Sequence, residues 1–264
     1  MGTKTSNPIL LANFRCRRPL FVCMPRVARL VLPGLPHHIT QRGNYRQKVF
    51  YRDEDRLLYL NLLREFAVHY GVSILAYCLM PNHVHLIAVP HHERALARML
   101  QRVHADYARA VHLRLRRVGH LWQARYASVP MDEKHFWATM VYVEQNPSKA
   151  HLVDHPWDWR WSSAQAHLAD SEGGLLDLVA WRARYTPEKW KRCLELGLAD
   201  SLTIERIREA TQKGWPLGDE AFLDRLASEF GVNPRRRHPG RPRVERKAAG
   251  SVTSTVADDE ELVG

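Results

Sequence analysis

The stretch Leu79-Met80-Pro81-Asn82-His83-Val84-His85-Leu86-Ile87 determines how the middle of this chain folds. An apolar run over 72–80, the tight connection Pro81-Asn82 and a second apolar run predict a β-hairpin. Side chains alternate faces along a strand, so His83 and His85 share one face, about 7 Å apart. Two imidazoles held in this way can bind one metal ion. In a chain with 15 histidines, the spacing alone is a weak indication.

Strand and helix patterns alternate on both sides of the hairpin. They predict a strand over 37–42, helices over 53–70 and 93–117, a strand over 122–131 and a helix over 132–146 that Pro147 terminates. The residues of the first helix expected to face the core are Leu57, Leu60, Leu63 and Ala67. This order indicates an α+β fold, an antiparallel sheet with helices on one face. The face of the two histidines would then be free for a substrate.

Composition favours a polyanionic partner. The 264 residues carry a net charge of +11, and the pI is near 9.8. Nucleic acid is the first candidate, and solvated basic faces are the alternative. The four cysteines form no C-x-x-C pair, which indicates a reducing, cytoplasmic setting. No apolar run approaches the roughly 18 residues of a membrane span.

The chain divides into four segments. Residues 1–24 are expected to be disordered or an over-called extension before a start at Met24. Residues 25–165 form the main domain, 166–233 a small helical C-terminal region, and 234–264 a disordered tail that is first basic and then acidic. Within the tail, Pro239-Gly240-Arg241-Pro242-Arg243 partly resembles an AT-hook core, in which Arg241 and Arg243 would enter the minor groove.

Tyr142 and Asn146 lie four residues apart, on one face of a predicted helix and away from its apolar stripe. If this helix lies beside His83 and His85, the site holds two imidazoles, an amide oxygen and a phenol. Such mixed nitrogen and oxygen ligation suits Mg²⁺ or Mn²⁺ at His83, His85 and Asn146. The Tyr142 phenol would attack a phosphodiester and form a phosphotyrosine. Each of these residues could instead have a purely structural role. The tyrosine and the histidines could pack in the core, and the asparagine could end the helix.

The helix predicted over 93–117 carries an arginine stripe that could track phosphates. Its members, which fall within one sector of a regular helix, are Arg94, Arg98, Arg102 and Arg109. Only Glu93 and Asp106 are acidic in that helix, although such a stripe can also be a solvated face. The aromatic candidates for stacking on bases are Tyr107, Trp122 and Tyr126.

The chain resembles the REP-associated tyrosine transposases, within the single-tyrosine HUH transposases. The matching segments are HITQRGN (38–44), AYCLMPNHVHL (76–86), VGHLWQARY (118–126), YVEQNP (142–147), WRWSS (159–163) and PLGDEAF (216–222). The resemblance implies a ferredoxin-like α+β catalytic domain, a divalent metal at the two histidines and a nucleophilic tyrosine, Tyr142. The substrate it implies is single-stranded DNA carrying a palindromic hairpin. Arg42, Asn44 and Arg125 stand in these segments and are further expected DNA contacts.

The resulting hypothesis is a metal-dependent DNA endonuclease and strand transferase that needs no nucleotide cofactor, because the phosphotyrosine keeps the energy of the broken bond. The alternatives are a DNA-binding regulator without catalysis and an HUH replication initiator or relaxase; no ATPase motif is present to favour the latter. Monomer and homodimer both remain open. So does any assisting role of Glu65, His104, His120 or Gln123.

Overall fold

The computed structural model describes residues 29–231. Its strands are β1 (His37–Arg42), β2 (Val72–Met80), β3 (His83–Pro90) and β4 (Ala127–Pro130). Its helices are α1 (Asp53–His69), α2 (Ala95–Leu115), α3 (Glu133–Glu144), α4 (Asn146–Lys149), α5 (Ala164–Leu168), α6 (Val179–Arg182), α7 (Pro187–Leu196), α8 (Ser201–Lys213) and α9 (Glu220–Phe230). The predicted N-terminal extension, the basic tail, and Arg241 and Arg243 lie outside the described residues. No helix within 29–231 is both long and apolar enough to cross a bilayer.

The four strands form one antiparallel sheet in the order β2-β3-β1-β4. β3 lies at the centre and pairs with both β2 and β1, and β1 pairs with β4 at the edge. With α1 between β1 and β2, and α2 between β3 and β4, the chain follows the β-α-β-β-α-β path of a ferredoxin-like fold. The predicted α+β class and ferredoxin-like sheet are confirmed.

Both faces of the sheet are covered, which corrects the expectation that helices lie on one face and leave the histidine face free. On one face, Val84 and Leu86 pack in a core with side chains of α1 and α2. On the other, Ile87 packs with Met140 of α3 and Ile207 of α8. The reason is that α3 and α8 have apolar stripes of their own, and the apolar residues of the second sheet face are available to bury them. Helices from both sides of residue 165 share this core. The predicted division into domains at that residue stays a prediction.

Several element boundaries differ from those expected. Leu57 is 44% exposed, which corrects its predicted place in the core, whereas Leu63 and Ala67 are buried as predicted. Tyr59 and Phe66 complete the buried side of α1, and Leu60 is half-buried. The strand expected over 122–131 is shortened to β4, because residues 121–123 form a loop that bonds to the end of β1. Pro147 does not end the helical path. It occupies the first turn of α4, where its missing N–H is no loss.

The turn before His83 is held against the loop after β1. The Gly43 amide donates to the Asn82 carbonyl at 2.9 Å. A Cβ atom on Gly43 would lie 2.3 Å from the carbonyl oxygen of Gln47, so only glycine fits this close approach. The loop and the turn therefore form one support beneath the first histidine.

Candidate active site

The register of the central strands places the two histidines on one face. Arg42 lies opposite His83 and Thr40 opposite His85, so all four side chains emerge on the same side of the sheet. The His83 and His85 ring centroids are 4.9 Å apart, nearer than the strand rise predicts because the rings lean towards each other. The Tyr142 ring stands edge-on to His85 at 6.0 Å. The structure thus brings together the two histidines and the tyrosine.

His83 is held by its neighbour in the turn. Its Nδ1 lies 2.6 Å from Asn82 Oδ1, while Asn82 Nδ2 donates to the Arg46 carbonyl at 3.2 Å. The amide nitrogen of Asn82 is thereby engaged on the far side, so its oxygen faces the ring and accepts from Nδ1–H. The lone pair of His83 is therefore at Nε2.

His85 is held by a residue to which sequence reasoning assigned no role. His38 Nε2 lies 2.9 Å from His85 Nδ1, and the two rings are parallel with centroids 5.2 Å apart. His38 also contacts Tyr142 edge-on, at 6.2 Å between centroids. The period-2 pattern of β1 puts His38 on the same face as Thr40, which is the one signal that could have identified it.

Burial keeps the imidazoles neutral. It lowers the pKa of His83 to about 4, with the nearby Arg42 charge adding to the effect. It also holds the pKa of His85 well below its ordinary value, helped by the neighbouring His83, His38 and Arg42. At neutral pH both rings are therefore in the uncharged form that ligates a metal.

Asn146 lies one helical turn beyond Tyr142. Its Nδ2 donates to the carbonyls of Tyr142 and Val143, at 2.8 and 3.4 Å, which leaves Oδ1 as the atom that could ligate. Two imidazole nitrogens with an amide oxygen could hold a divalent cation, with water or phosphate filling the remaining positions. Within 29–231 no group of three His, Cys, Asp or Glu side chains offers a metal site, so an oxygen ligand such as Asn146 would be needed.

The opposite side of α3 is anchored by a buried carboxylate, which the sequence did not indicate. Glu144 is fully buried. Its Oε1 accepts from Ser163 Oγ and from His167 Nδ1, the latter at 2.6 Å. Its Oε2 accepts from Trp190 Nε1 at 2.9 Å. One side chain thus ties the helix of Tyr142 to α5 and α7.

A cleft of about 1330 Å³ runs between the 119–128 segment and the end of α8. None of the described residues that line it is acidic. Its basic and aromatic lining consists of Arg29, His104, His112, His120, Trp122, Arg125, Tyr126, Lys213 and Trp215. Thr211 also lines the cleft and lies 3.0 Å from His38, which connects the cleft to the histidines.

The predicted arginine stripe begins at Arg94, just before α2, and continues along α2, which packs on the sheet face opposite the histidines. Arg102 and Arg109 both pair with Asp106, at 3.3 and 3.4 Å. Ala105 shares their sector and lines the cleft, so the stripe borders it. The DNA-binding roles of Arg94, Arg98, Arg102 and Arg109, and of Arg42, Asn44 and Arg125, stay predictions.

The three aromatic residues predicted to stack on bases lie in different environments. Tyr107 is fully buried and donates to the Val49 carbonyl at 2.6 Å, so the expectation that it stacks on bases was wrong. Trp122 and Tyr126 both line the cleft. Sequence reasoning overlooked Tyr45, which is 93% exposed on the loop after β1.

The four residues left open in the sequence lie in different places. His104 is buried and lies 3.1 Å from the Tyr59 hydroxyl, a structural contact. His120 and Gln123 line the cleft, and Glu65 is exposed on α1. His104 lines the cleft as well, but it is buried, so of the three cleft residues His120 and Gln123 are the exposed ones.

Residues 32–146 match the family model described as "Transposase IS200 like". The matched range holds the whole sheet, α1 to α3, both histidines and Tyr142. This part of the chain is therefore similar to the IS200-like transposases. The resemblance predicted from the sequence is confirmed at that level.

Two solved structures are similar to the chain. One is a REP-associated tyrosine transposase bound to a REP hairpin, at 18% identity and a TM-score of 0.48, covering 59% of this chain and 90% of that one. The other is a transposase-like protein of Deinococcus radiodurans R1, at 23% identity and a TM-score of 0.33, covering 45% and 95% respectively. No curated protein sequence shows significant similarity to the chain.

Proposed function

We propose that this transposase is a metal-dependent endonuclease and strand transferase for single-stranded, hairpin-bearing DNA of the REP type, with Tyr142 as its nucleophile. The observation that carries the proposal is the contact of Tyr142 with His85, which puts a phenol beside two neutral imidazoles in an IS200-like domain. The hairpin as substrate rests on the sequence motifs shared with REP-associated enzymes.

The chemical step is a transesterification. Tyr142 Oη attacks the scissile phosphorus, the Oη–P bond forms, and the bond from phosphorus to the 3′-oxygen breaks. The phenolic proton is lost to solvent, and the departing 3′-oxygen gains one, so charge and protons balance. The products are a 5′-phosphotyrosine and a free 3′-hydroxyl, which can later reverse the step on another strand.

His83 Nε2, His85 Nε2 and Asn146 Oδ1 are the atoms that would hold the cation. A bound Mg²⁺ or Mn²⁺ would supply charge neutralisation at the phosphate and favour ionisation of a neighbouring phenol. Arg42 lies opposite His83 and would bind a phosphate oxygen beside them.

The cleft supplies the surface for the polyanion. None of the described lining residues is acidic, and the half-buried Trp122 and Trp215 would offer stacking for unpaired bases. The chain's net charge of +11 agrees with this role.

Replacing Arg125 by Ala is expected to weaken hairpin binding because it removes a phosphate contact from the cleft. One lost contact should reduce the magnitude of the slope of log K, the binding constant, against log salt concentration by about 0.7–0.9. The measurement is a salt titration of fluorescently labelled hairpin DNA.

Arg192→Ala is the matched control, since it removes the same charge from an exposed site on α7. Arg98→Ala tests the α2 stripe in the same assay. Equal slopes for Arg125→Ala and Arg192→Ala would show that the cleft does not contact DNA phosphates.

The proposed function is tested with hairpin-bearing single strands labelled at either end and incubated with Mg²⁺ or Mn²⁺. We expect a denaturation-resistant adduct on the fragment 3′ of the cut, which EDTA prevents. Tight binding without an adduct under either metal would instead indicate a DNA-binding regulator.

A further inference from the structure

A chain of hydrogen bonds leads from α8 to the histidine pair. Thr211 Oγ1 lies 3.0 Å from His38 Nδ1, and His38 Nε2 lies 2.9 Å from His85 Nδ1. Thr211 Oγ1 also donates to the Ile207 carbonyl at 2.7 Å, one turn back on the same helix. His38 and His85 are both buried, so water does not compete for these contacts.

The donor-to-acceptor direction of these hydrogen bonds follows from counting protons. The Thr211 hydroxyl has one proton and gives it to Ile207, so towards His38 it can only accept. His38 must therefore carry its proton on Nδ1, and its neutral ring leaves Nε2 as an acceptor. His85 then donates from Nδ1, and its lone pair is at Nε2. His83 reaches the same tautomer independently, through Asn82.

We propose that Thr211 and His38 are positioning residues that fix His85 as the Nδ1–H tautomer and so present its Nε2 to the metal. The proposal rests on the proposed metal site. It extends that site beyond the matched family range, which ends at residue 146, into α8. The helical C-terminal region thereby completes the active site as well as covering the sheet.

The proposal predicts what removal of one hydroxyl does. Thr211→Val keeps the side-chain shape but takes away the acceptor, so His38 can move its proton to Nε2 and no longer accept from His85. Loss of a partner that orients a ligating histidine typically weakens metal binding by about 10–100-fold. Thr211→Ser restores the acceptor and is expected to retain wild-type behaviour.

The decisive measurement is the tautomer of His85 in metal-free protein, read from imidazole nitrogen shifts by NMR with isotope-labelled histidine and assigned with His85→Gln. The expected result is Nδ1–H in the wild type and Thr211→Ser, and a shift towards Nε2–H in Thr211→Val. Thr203→Val is the matched control on the same helix. Unchanged tautomers in Thr211→Val, or Nε2–H in the wild type, would overturn the proposal.

Mn²⁺ affinity, measured by electron paramagnetic resonance, is the second readout. If the wild type binds no Mn²⁺ while its tautomers are as expected, the proposed metal site fails and the positioning role stands. If Mn²⁺ binds and Thr211→Val changes neither the affinity nor the tautomer, the positioning role fails and the metal site stands.

Discussion

Replacing Tyr142 by Phe is expected to abolish the covalent adduct and to reduce strand cleavage by more than about 10³-fold, as loss of an essential nucleophile does. The ring remains, so its edge contacts with His38 and His85 should persist. Only the phenolic oxygen, the proposed nucleophile, is lost. Hairpin affinity should therefore change little, because the proposed hairpin contacts lie in the basic cleft.

The experiment compares adduct yield and hairpin affinity in the wild type, Tyr142→Phe and Tyr70→Phe. The last variant removes a phenolic hydroxyl on the other side of the sheet, just after α1. Undiminished nicking by Tyr142→Phe would remove this residue from the role of nucleophile. Equal loss in Tyr70→Phe would point to damage to the fold.

Replacing Glu144 by Ala is expected to lower the free energy of unfolding by about 3–5 kcal/mol, the usual effect of breaking a buried charged network. Three donors, on Ser163, His167 and Trp190, would lose their acceptor inside the core. Glu144→Gln keeps the volume but turns one acceptor into a donor, so a smaller loss of about 1–3 kcal/mol is expected. Urea unfolding followed by circular dichroism measures both.

The control is Glu133→Ala on the same helix, where the carboxylate is exposed and pairs with Arg184 at 3.2 Å. An exposed pair contributes at most about 1 kcal/mol. If Glu144→Ala were no less stable than Glu133→Ala, the cluster would not anchor α3.

The local part of the site could be predicted from the sequence, and the distant part could not. Alternation along β3 and helical spacing were enough to place His83 beside His85 and Tyr142 beside Asn146. The hydrogen bond from His38 to Thr211 joins residues 173 positions apart. Periodicity shows which face of a strand is apolar, but it does not show which later helix covers that face.

The Glu144 cluster could not be predicted from the sequence, for a related reason. Residues two apart in a helix point about 200° apart, so the side of α3 that faces away from Tyr142 needs a partner of its own. The WRWSS segment, which contains Ser163, was recognised only as a motif shared with a family. No local sequence pattern links this segment to Trp190. Burial of the Glu144 carboxylate can be recognised only in the folded structure, where its three hydrogen-bond donors surround it.

Both histidines and Tyr142 meet within one chain, and this has a kinetic consequence. Under the proposed mechanism a single copy carries every side chain the cut requires, so activity per molecule should not fall on dilution. Mixing Tyr142→Phe chains with His85→Ala chains should restore no adduct, because neither copy needs to lend a group to the other. Adduct formation in that mixture would show that copies exchange their α3 helices.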